Sequence, residues 1–262
     1  MNVQFTFIEA KDCLQLFTIY EEIAPILSIQ TFNDHVLIEC MDESHTMIAK
    51  CTVKKSYFAY YQSITPSVIH IPMKIMDKIL KCIDKDDQVT MDATDEQLTI
   101  TLCKNKKQTK MKISLVDVDI ESFQVPANIE FDTISRLQSG FFSQQINKMK
   151  QLGEHTIEFK TNEEYLFLKS TGDLVETEIS VQAGKETAPE SIKNGVKPCE
   201  LVFLKPGICS HEYSLGSIKQ FMKPASWIPE MEISMKKDFP ILFNYDIENV
   251  SLKYYLAPKI ED

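Results

Sequence analysis

Apolar and polar residues alternate along most of the chain, and at intervals that period of two gives way to a period near 3.6. The first pattern predicts strands with two unlike faces, the second amphipathic helices. Residues 2–8 alternate, and residues 11–23 follow with Cys13, Leu16, Phe17, Tyr20 and Ile23 at helical spacing. Three strand-like runs come next, 26–32, 35–41 and 46–53, the first two separated by the turn dipeptide Asn33-Asp34. Residues 67–71 read as a strand, and Pro72 opens a second helix through Cys82, as proline does at a first helical position. Residues 88–93 and 97–103 form a hairpin, with a further strand at 107–115.

Residues 116–130, VDVDIESFQVPANIE, break the pattern. Alternating acids, a proline and no helical period predict an extended connector on the surface. After it the order recurs: a strand at 131–137, a helix from Ser139 that stops at Gly153, then strands at 155–160, 165–170 and 174–182. The polar residues 183–194 read as a mobile loop. Strands at 198–204 and 208–213 lead to a fourth helix, 215–223, and strands at 231–235, 241–247 and 251–257 finish the chain. Each half carries a strand, helix, strands order twice. The expected architecture is α+β, with an N-terminal domain over 1–115, the connector over 116–130 and a C-terminal domain over 131–262.

The helices differ from the chain as a whole in charge. In steps of 100°, Ile75, Met76, Ile79 and Leu80 of the second helix face in, leaving Lys74, Asp77, Lys78 and Lys81 outside. Leu215, Ile218 and Met222 of the fourth face in, leaving Gly216, Lys219, Gln220 and Lys223. The third shows Gln144, Asn147, Lys148 and Gln151, and the first Lys11, Gln15, Thr18 and Glu22. On the residues alone, each stripe is equally that of an ordinary solvated helix. Two strands also carry unlike charges: 107–115 has Lys110 and Lys112 on one face with Met111, Ile113 and Leu115 on the other, whereas 174–182 has Glu176 and Glu178 opposite Val175, Ile179 and Val181. Antiparallel pairing of these two would bring lysine to glutamate and apolar to apolar. Alone, each is equally an ordinary strand with solvated charges.

Composition narrows the class. The 262 residues, 44% of them hydrophobic, suffice for a substantial core without staples. Seven cysteines include no C-x-x-C pair and sit in apolar or alternating runs, so they read as reduced, buried thiols of a cytosolic or nuclear protein, with neither disulfides nor zinc. No apolar run reaches the ~20 residues that span a bilayer, and the N-terminus lacks a basic region before a long apolar one, so a soluble, non-secreted protein is expected. The formal charge of −10 argues against nucleic acid, and only the lysine-bearing helices argue for it. Nothing predicts catalysis or a cofactor: there is no G-x-S-x-G, Walker loop, H-E-x-x-H or histidine cluster. Asp117 and Asp119 read as solubilising the connector, not as metal ligands.

The terminal LKYYLAPKIED alternates Leu252, Tyr254 and Leu256 with Lys253, Tyr255 and Ala257, and Pro258 stops it, so it reads as a C-terminal edge strand whose tyrosines could be packing alone. This segment, the Met41-Asp42-Glu43-Ser44-His45 loop, Lys78-Ile79-Leu80-Lys81-Cys82, the acidic Asp117–Glu121 run before Val125-Pro126, and Ser139-Gly140 together resemble the eukaryotic-type sliding clamps of the proliferating cell nuclear antigen family. The resemblance spans nearly the whole chain. It implies a DNA-clamp fold of two similar domains, each with two helices packed on antiparallel sheets, assembling into a closed ring, a homotrimer. It implies a processivity factor that performs no chemistry, needs no cofactor, and acts in the nucleus or at a site of viral DNA replication.

Double-stranded DNA would be met without sequence preference, by Lys11, Lys74, Lys78, Lys81, Lys107, Lys148, Lys219 and Lys223. Partners would be DNA polymerase, a clamp loader and other proteins with clamp-binding peptides, held by Met41, His45, Phe123, Val125, Pro126, Pro240, Tyr255, Ala257 and Pro258. The subunit interface would use Lys110, Met111, Lys112, Ile113, Glu176, Glu178, Ile179 and Val181. Thr46 stands where the family commonly has valine and Phe123 where it has leucine. Two other readings stay open: one subunit of a heterotrimeric checkpoint clamp, and an adaptor that binds partner peptides without encircling DNA.

Overall fold

The computed structural model describes residues 3–63, 65–118, 126, 129–153, 155–172, 175–185 and 199–259. The chain divides into two compact units, Met1–Gln124 with Ile247–Leu252, and Val125–Asp246 with Lys253–Asp262. The first contains β1 (Val3–Phe7), α1 (Ala10–Thr18), β2 (Ile26–Thr31), β3 (His35–Met41), β4 (Met47–Lys54), β5 (Phe58–Ser63), β6 (Ser67–Pro72), α2 (Met73–Leu80), β7 (Gln88–Ala93), β8 (Gln97–Lys104) and β9 (Lys107–Ser114). Its strands run in the orders β5-β1-β7-β8-β9 and β4-β3-β2-β6.

The second unit contains β10 (Thr133–Gln138), α3 (Ser139–Gln151), β11 (Thr156–Thr161), β12 (Tyr165–Thr171), β13 (Glu176–Gln182), β14 (Leu201–Lys205), β15 (Cys209–Ser214), α4 (Leu215–Phe221), β16 (Glu230–Met235) and β17 (Ile241–Ile247). Its strands run β14-β10-β16-β17 and β13-β12-β11-β15. The last strand, β18 (Val250–Leu256), crosses the division between the units. A β-α-β-β-β sequence thus occurs four times, beginning at β1, β6, β10 and β15. β5 and β14 are added strands, each antiparallel to the first strand of its unit.

Alternation builds the core. Val3, Phe5 and Phe7 are buried while Gln4 and Thr6 between them are not, and Thr6 and Gln4 bond to Thr90 and Asp92 on β7. In the first unit Phe5, Phe7, Phe17, Tyr57 and Phe58 meet edge-on or tilted, the arrangement that ring quadrupoles favour. In the second, Phe243 lies among Phe142, Phe159 and Phe221, and Tyr254 stacks on Phe221 at 4.5 Å. The Tyr245 hydroxyl donates to the Phe221 carbonyl at 2.9 Å, which satisfies the one polar atom this ring carries inside.

Several sequence expectations need correction. α1 ends at Thr18, five residues early, and the turns that follow include Glu22 at φ 67°; Tyr20 and Ile23 are buried from those turns instead. Pro72 is the last residue of β6 and caps α2 with extended backbone, so it precedes the helix instead of forming its first position. Ile75 is 46% exposed, and Met73 takes the inward place assigned to it, because Met73, Met76, Ile79 and Leu80 make the stripe on the sheet. β5 was not expected at all. Cys82 is exposed, while Cys13, Cys40, Cys51 and Cys209 are buried, and burial pushes the Cys40 and Cys51 thiols up to about 12. α4 ends at Phe221 and a separate 3-10 turn, Lys223–Ser226, follows with Pro224. β18 has a neighbour on each side in its sheet, so it is not an edge strand. Most of the expected loop at 183–194 and of the connector lies outside the described residues.

The aromatic nucleus of the second unit gives a direct check. Phe243→Ala removes a fully buried ring with three aromatic neighbours, and should lower unfolding free energy by about 3–5 kcal/mol in a denaturant titration followed by circular dichroism.

Candidate functional site

In each unit two helices lie side by side on the strands. α1 packs on β1 and β7 next to α2, which packs on β6 and β9. α3 packs on β10 and β16 next to α4, which packs on β11 and β15. Each pair therefore shares one outward side. On the first pair Lys11, Lys74, Lys78 and Lys81 are exposed, and on the second Lys148 and Lys219, with Lys223 half-buried in the turn after α4. α3 also exposes Gln144, Asn147 and Gln151, and Lys148 Nζ donates to Gln145 at 3.1 Å. The acid in the first turn of α1, Asp12, accepts from the Glu9 N–H at 3.0 Å as part of a capping box. Lys107 is exposed beside a two-residue turn whose residues Asn105 and Lys106 both have positive φ, and which sets the β8–β9 register.

β9 and β13 end their sheets. Their counterparts by repeat position, β18 and β4, do not. Lys110 and Lys112 are exposed on β9, opposite Thr101 and Thr99 of β8. Glu176 and Glu178 are exposed on β13, and Glu176 pairs with Lys169 at 2.7 Å. The apolar faces are less open than expected. Ile113 and Val181 are buried against Leu98 and Leu166 of their own sheets, leaving Met111 and Ile179 half-exposed.

The residues assigned to a peptide groove fall in both units. In the first, Met41 ends β3 half-buried and His45 is exposed at φ 58°. Asp42 holds this loop: it accepts from Ser44 Oγ, from the Thr46 and Met47 N–H groups at 2.8 and 2.6 Å, and from Thr46 Oγ1 at 3.0 Å. Burial alone would raise its carboxyl pKa, but these four hydrogen bonds outweigh burial and hold it below the usual range. In the second unit Pro240, Ala257 and Pro258 are half-buried and Tyr255 is 9% exposed, its phenol raised by burial. Pro126 is exposed; Phe123 and Val125 lie outside the described residues. The β16–β17 turn, the Pro258 tail and β15 meet in an open cleft of about 660 Å³, which no pattern in the sequence indicated.

Two family models match consecutive parts of the chain: the proliferating cell nuclear antigen N-terminal domain over residues 10–125 and its C-terminal domain over 125–260. The chain belongs to the proliferating cell nuclear antigen family. It is 22% identical to a probable DNA polymerase sliding clamp 2 of Paramecium bursaria Chlorella virus 1, covering 97% of this chain and 89% of that protein. Its fold is similar to the crystal structure of Proliferating Cellular Nuclear Antigen from Entamoeba histolytica, with a TM-score of 0.84 and 23% identity over 98% of this chain and 99% of that one. The expected family, α+β clamp fold and sliding-clamp class are thereby borne out. Among the described residues no helix is long and apolar enough to cross a membrane.

For this sliding clamp, Asp42 is a residue that sequence reading passed over although it stands inside a quoted motif. Because its folded pKa is depressed, its stabilisation is present above the ordinary carboxylate pKa and is lost as pH falls through the lowered value. Asp42→Ala should therefore speed amide exchange at Thr46 and Met47 at neutral pH, and lower stability by about 1–3 kcal/mol. Wild-type protection at these amides should hold through mildly acid pH and fail only below about pH 4.

Proposed function

We propose that this protein is a DNA polymerase processivity factor. Three copies close into a ring around duplex DNA, and a hydrophobic groove tethers polymerase and other replication and repair proteins to it. It acts where DNA is replicated, in the nucleus or at a viral replication site, and carries out no reaction of its own.

One observation carries this reading: lysine-bearing helix pairs coexist with two sheet edges of opposite charge, β9 and β13, in a chain that is acidic overall. An edge strand with unpaired backbone groups favours pairing with another strand. β9 and β13 are different edges, so pairing one with the other is a head-to-tail contact, which closes into a ring when the rotation between copies permits. Lys110 and Lys112 then oppose Glu176 and Glu178. Repetition of the subunit gathers the helices around one opening. There Lys11, Lys74, Lys78, Lys81, Lys107, Lys148, Lys219 and Lys223 meet phosphates as point charges without base-reading geometry, which attracts a duplex and leaves it free to slide. The acidic remainder repels DNA from the outside.

The peptide groove consists of Met41, His45, Phe123, Val125, Pro126, Pro240, Tyr255, Ala257 and Pro258. Mostly apolar loop residues of this kind suit a short helical turn with aromatic anchors. A second reading, an adaptor that keeps the groove but does not encircle DNA, draws on the uncharged Gln144, Asn147 and Gln151 of α3.

Three measurements test the proposal. Lys110→Glu with Lys112→Glu should shift the mass by light scattering from trimer toward monomer at micromolar concentration; an unchanged mass rejects the β9–β13 interface. Replacing Lys74, Lys78 and Lys81 with glutamate should leave that mass intact, yet shorten polymerase products on a closed circular template and flatten the salt dependence of DNA retention. If wild-type protein trimerises but gives no gain in product length, the adaptor reading replaces the clamp. Tyr255→Ala should weaken binding of partner peptides about tenfold or more without dissociating the ring.

A further inference from the structure

β15 is the last strand of its sheet, and among the described residues its outer edge takes one backbone hydrogen bond. Within an antiparallel strand the N–H and C=O of one residue point the same way, so alternate residues serve the neighbouring strand and the open side. Glu212 belongs to the open set: its carbonyl accepts from the Lys259 N–H at 2.8 Å, so the C-terminal tail lies along this edge. By the continuous β11–β15 register Ser210 belongs to the same set. Its N–H lies near the Cys209 thiol, a weak acceptor, and beyond it opens the cleft of about 660 Å³. Lys237 and Asp238 form the facing wall, and Ile208, 77% exposed, stands at the mouth.

The first unit supplies an internal precedent. β6 holds the place of β15 in the repeat and also ends its sheet; His70 is its fourth residue, as Glu212 is of β15. The His70 carbonyl accepts from the Val116 N–H at 3.2 Å, donated by the segment that follows β9. In both units the chain after the last strand of the repeat lays an extended backbone on this edge. In the first that segment runs on into the connector.

We infer that the open half of the β15 edge takes an extended, non-prolyl flank of a partner's clamp-binding peptide by β-addition. The peptide exchanges main-chain hydrogen bonds with Ser210 and the Glu212 N–H, and lays an aliphatic side chain on Ile208. The inference rests on the groove reading given above, since Pro258 borders both the groove and this cleft. It makes the flank, and not only the aromatic turn, a determinant of which partner binds. Pairing through main chain gives affinity with little dependence on sequence, and the Ile208 contact adds the selectivity.

The test uses the full-length protein and two kinds of synthetic peptide, measured by calorimetry. One is a single helical turn with two aromatic anchors; the others carry the same turn with a five-residue, valine- and threonine-rich flank at either end. One flanked peptide should bind about tenfold more tightly than the unflanked one. Ser210→Pro removes only an outward N–H, which an edge strand tolerates, and should abolish that gain while unflanked binding stays unchanged. Ser210→Ala, which loses the same hydroxyl bond to Glu158, should keep it. Absence of a gain at either end, or a gain that survives Ser210→Pro, overturns the inference while leaving the groove intact. If the unflanked turn does not bind, the groove reading falls. The cleft is then judged by amide exchange at Ser210 and Glu212 with the flank alone at millimolar concentration: slowing supports it, and no change overturns it.

Discussion

Backbone pairing at sheet edges is the constraint on which this structure turns. Every strand end of a sheet leaves N–H and C=O groups that must find water, a side chain or another strand. Inside each unit the short added strands β5 and β14 cover the first strand of the unit, and their own edges run straight into the corners that lead to β6 and β15. Thr31 Oγ1 bonds Ser63 and Ser67 across one corner at 3.1 and 2.9 Å. At the other, Gly207 passes so close to the Asp132 carbonyl that a Cβ would sit 2.3 Å from its oxygen, and Thr161 Oγ1 donates to the Gly207 carbonyl at 3.0 Å. Among the described residues β9 and β13 carry no strand on their outer edges, and β15 takes the tail at Glu212 alone. The proposed subunit contact and the proposed flank site are the same physical demand met by different strands.

The helices solve a different problem. Each is short and buries a narrow stripe, so helix propensity contributes little and packing on the strands contributes most. Burying Met73, Met76, Ile79 and Leu80 leaves Lys74, Ile75 and Lys78 as the exposed positions of α2, and two of these three carry lysine. The single arginine of the chain, Arg136, is not on a helix; it donates to Glu232 across β10 and β16. Flexible ammonium groups on the helices, with the forked guanidinium committed to a strand pair, are what the proposed phosphate-attracting surface requires if a duplex is to slide on it.

Rigid supports surround the mobile-sounding parts. The His45 loop carries four hydrogen bonds to one carboxylate, and the C-terminal tail is tied at Lys259, whose ammonium also reaches Thr156. Binding surfaces built on loops keep their shape when such local bonds fix the backbone, which reduces the ordering cost of capturing a peptide.

The sequence by itself determined the fold class, the doubled order of elements and the family, because period-two and period-3.6 burial are local consequences of backbone geometry and the quoted motifs are contiguous. Among the described residues, seventeen of the eighteen strands fall within or beside expected runs; β5 does not, since its FAYYQS exposes half of its residues and shows no clean alternation. Tertiary structure alone decided which strands are edges. β18 ends the chain and looked like an edge, yet lies inside a sheet, whereas β9, β13 and β15 sit mid-chain and are terminal. It also decided which of Met73 and Ile75 faces in, and that the turn after β16, the tail and β15 share a cleft. Strand order and convergence depend on contacts between residues far apart in the chain, and no periodicity within a segment encodes them.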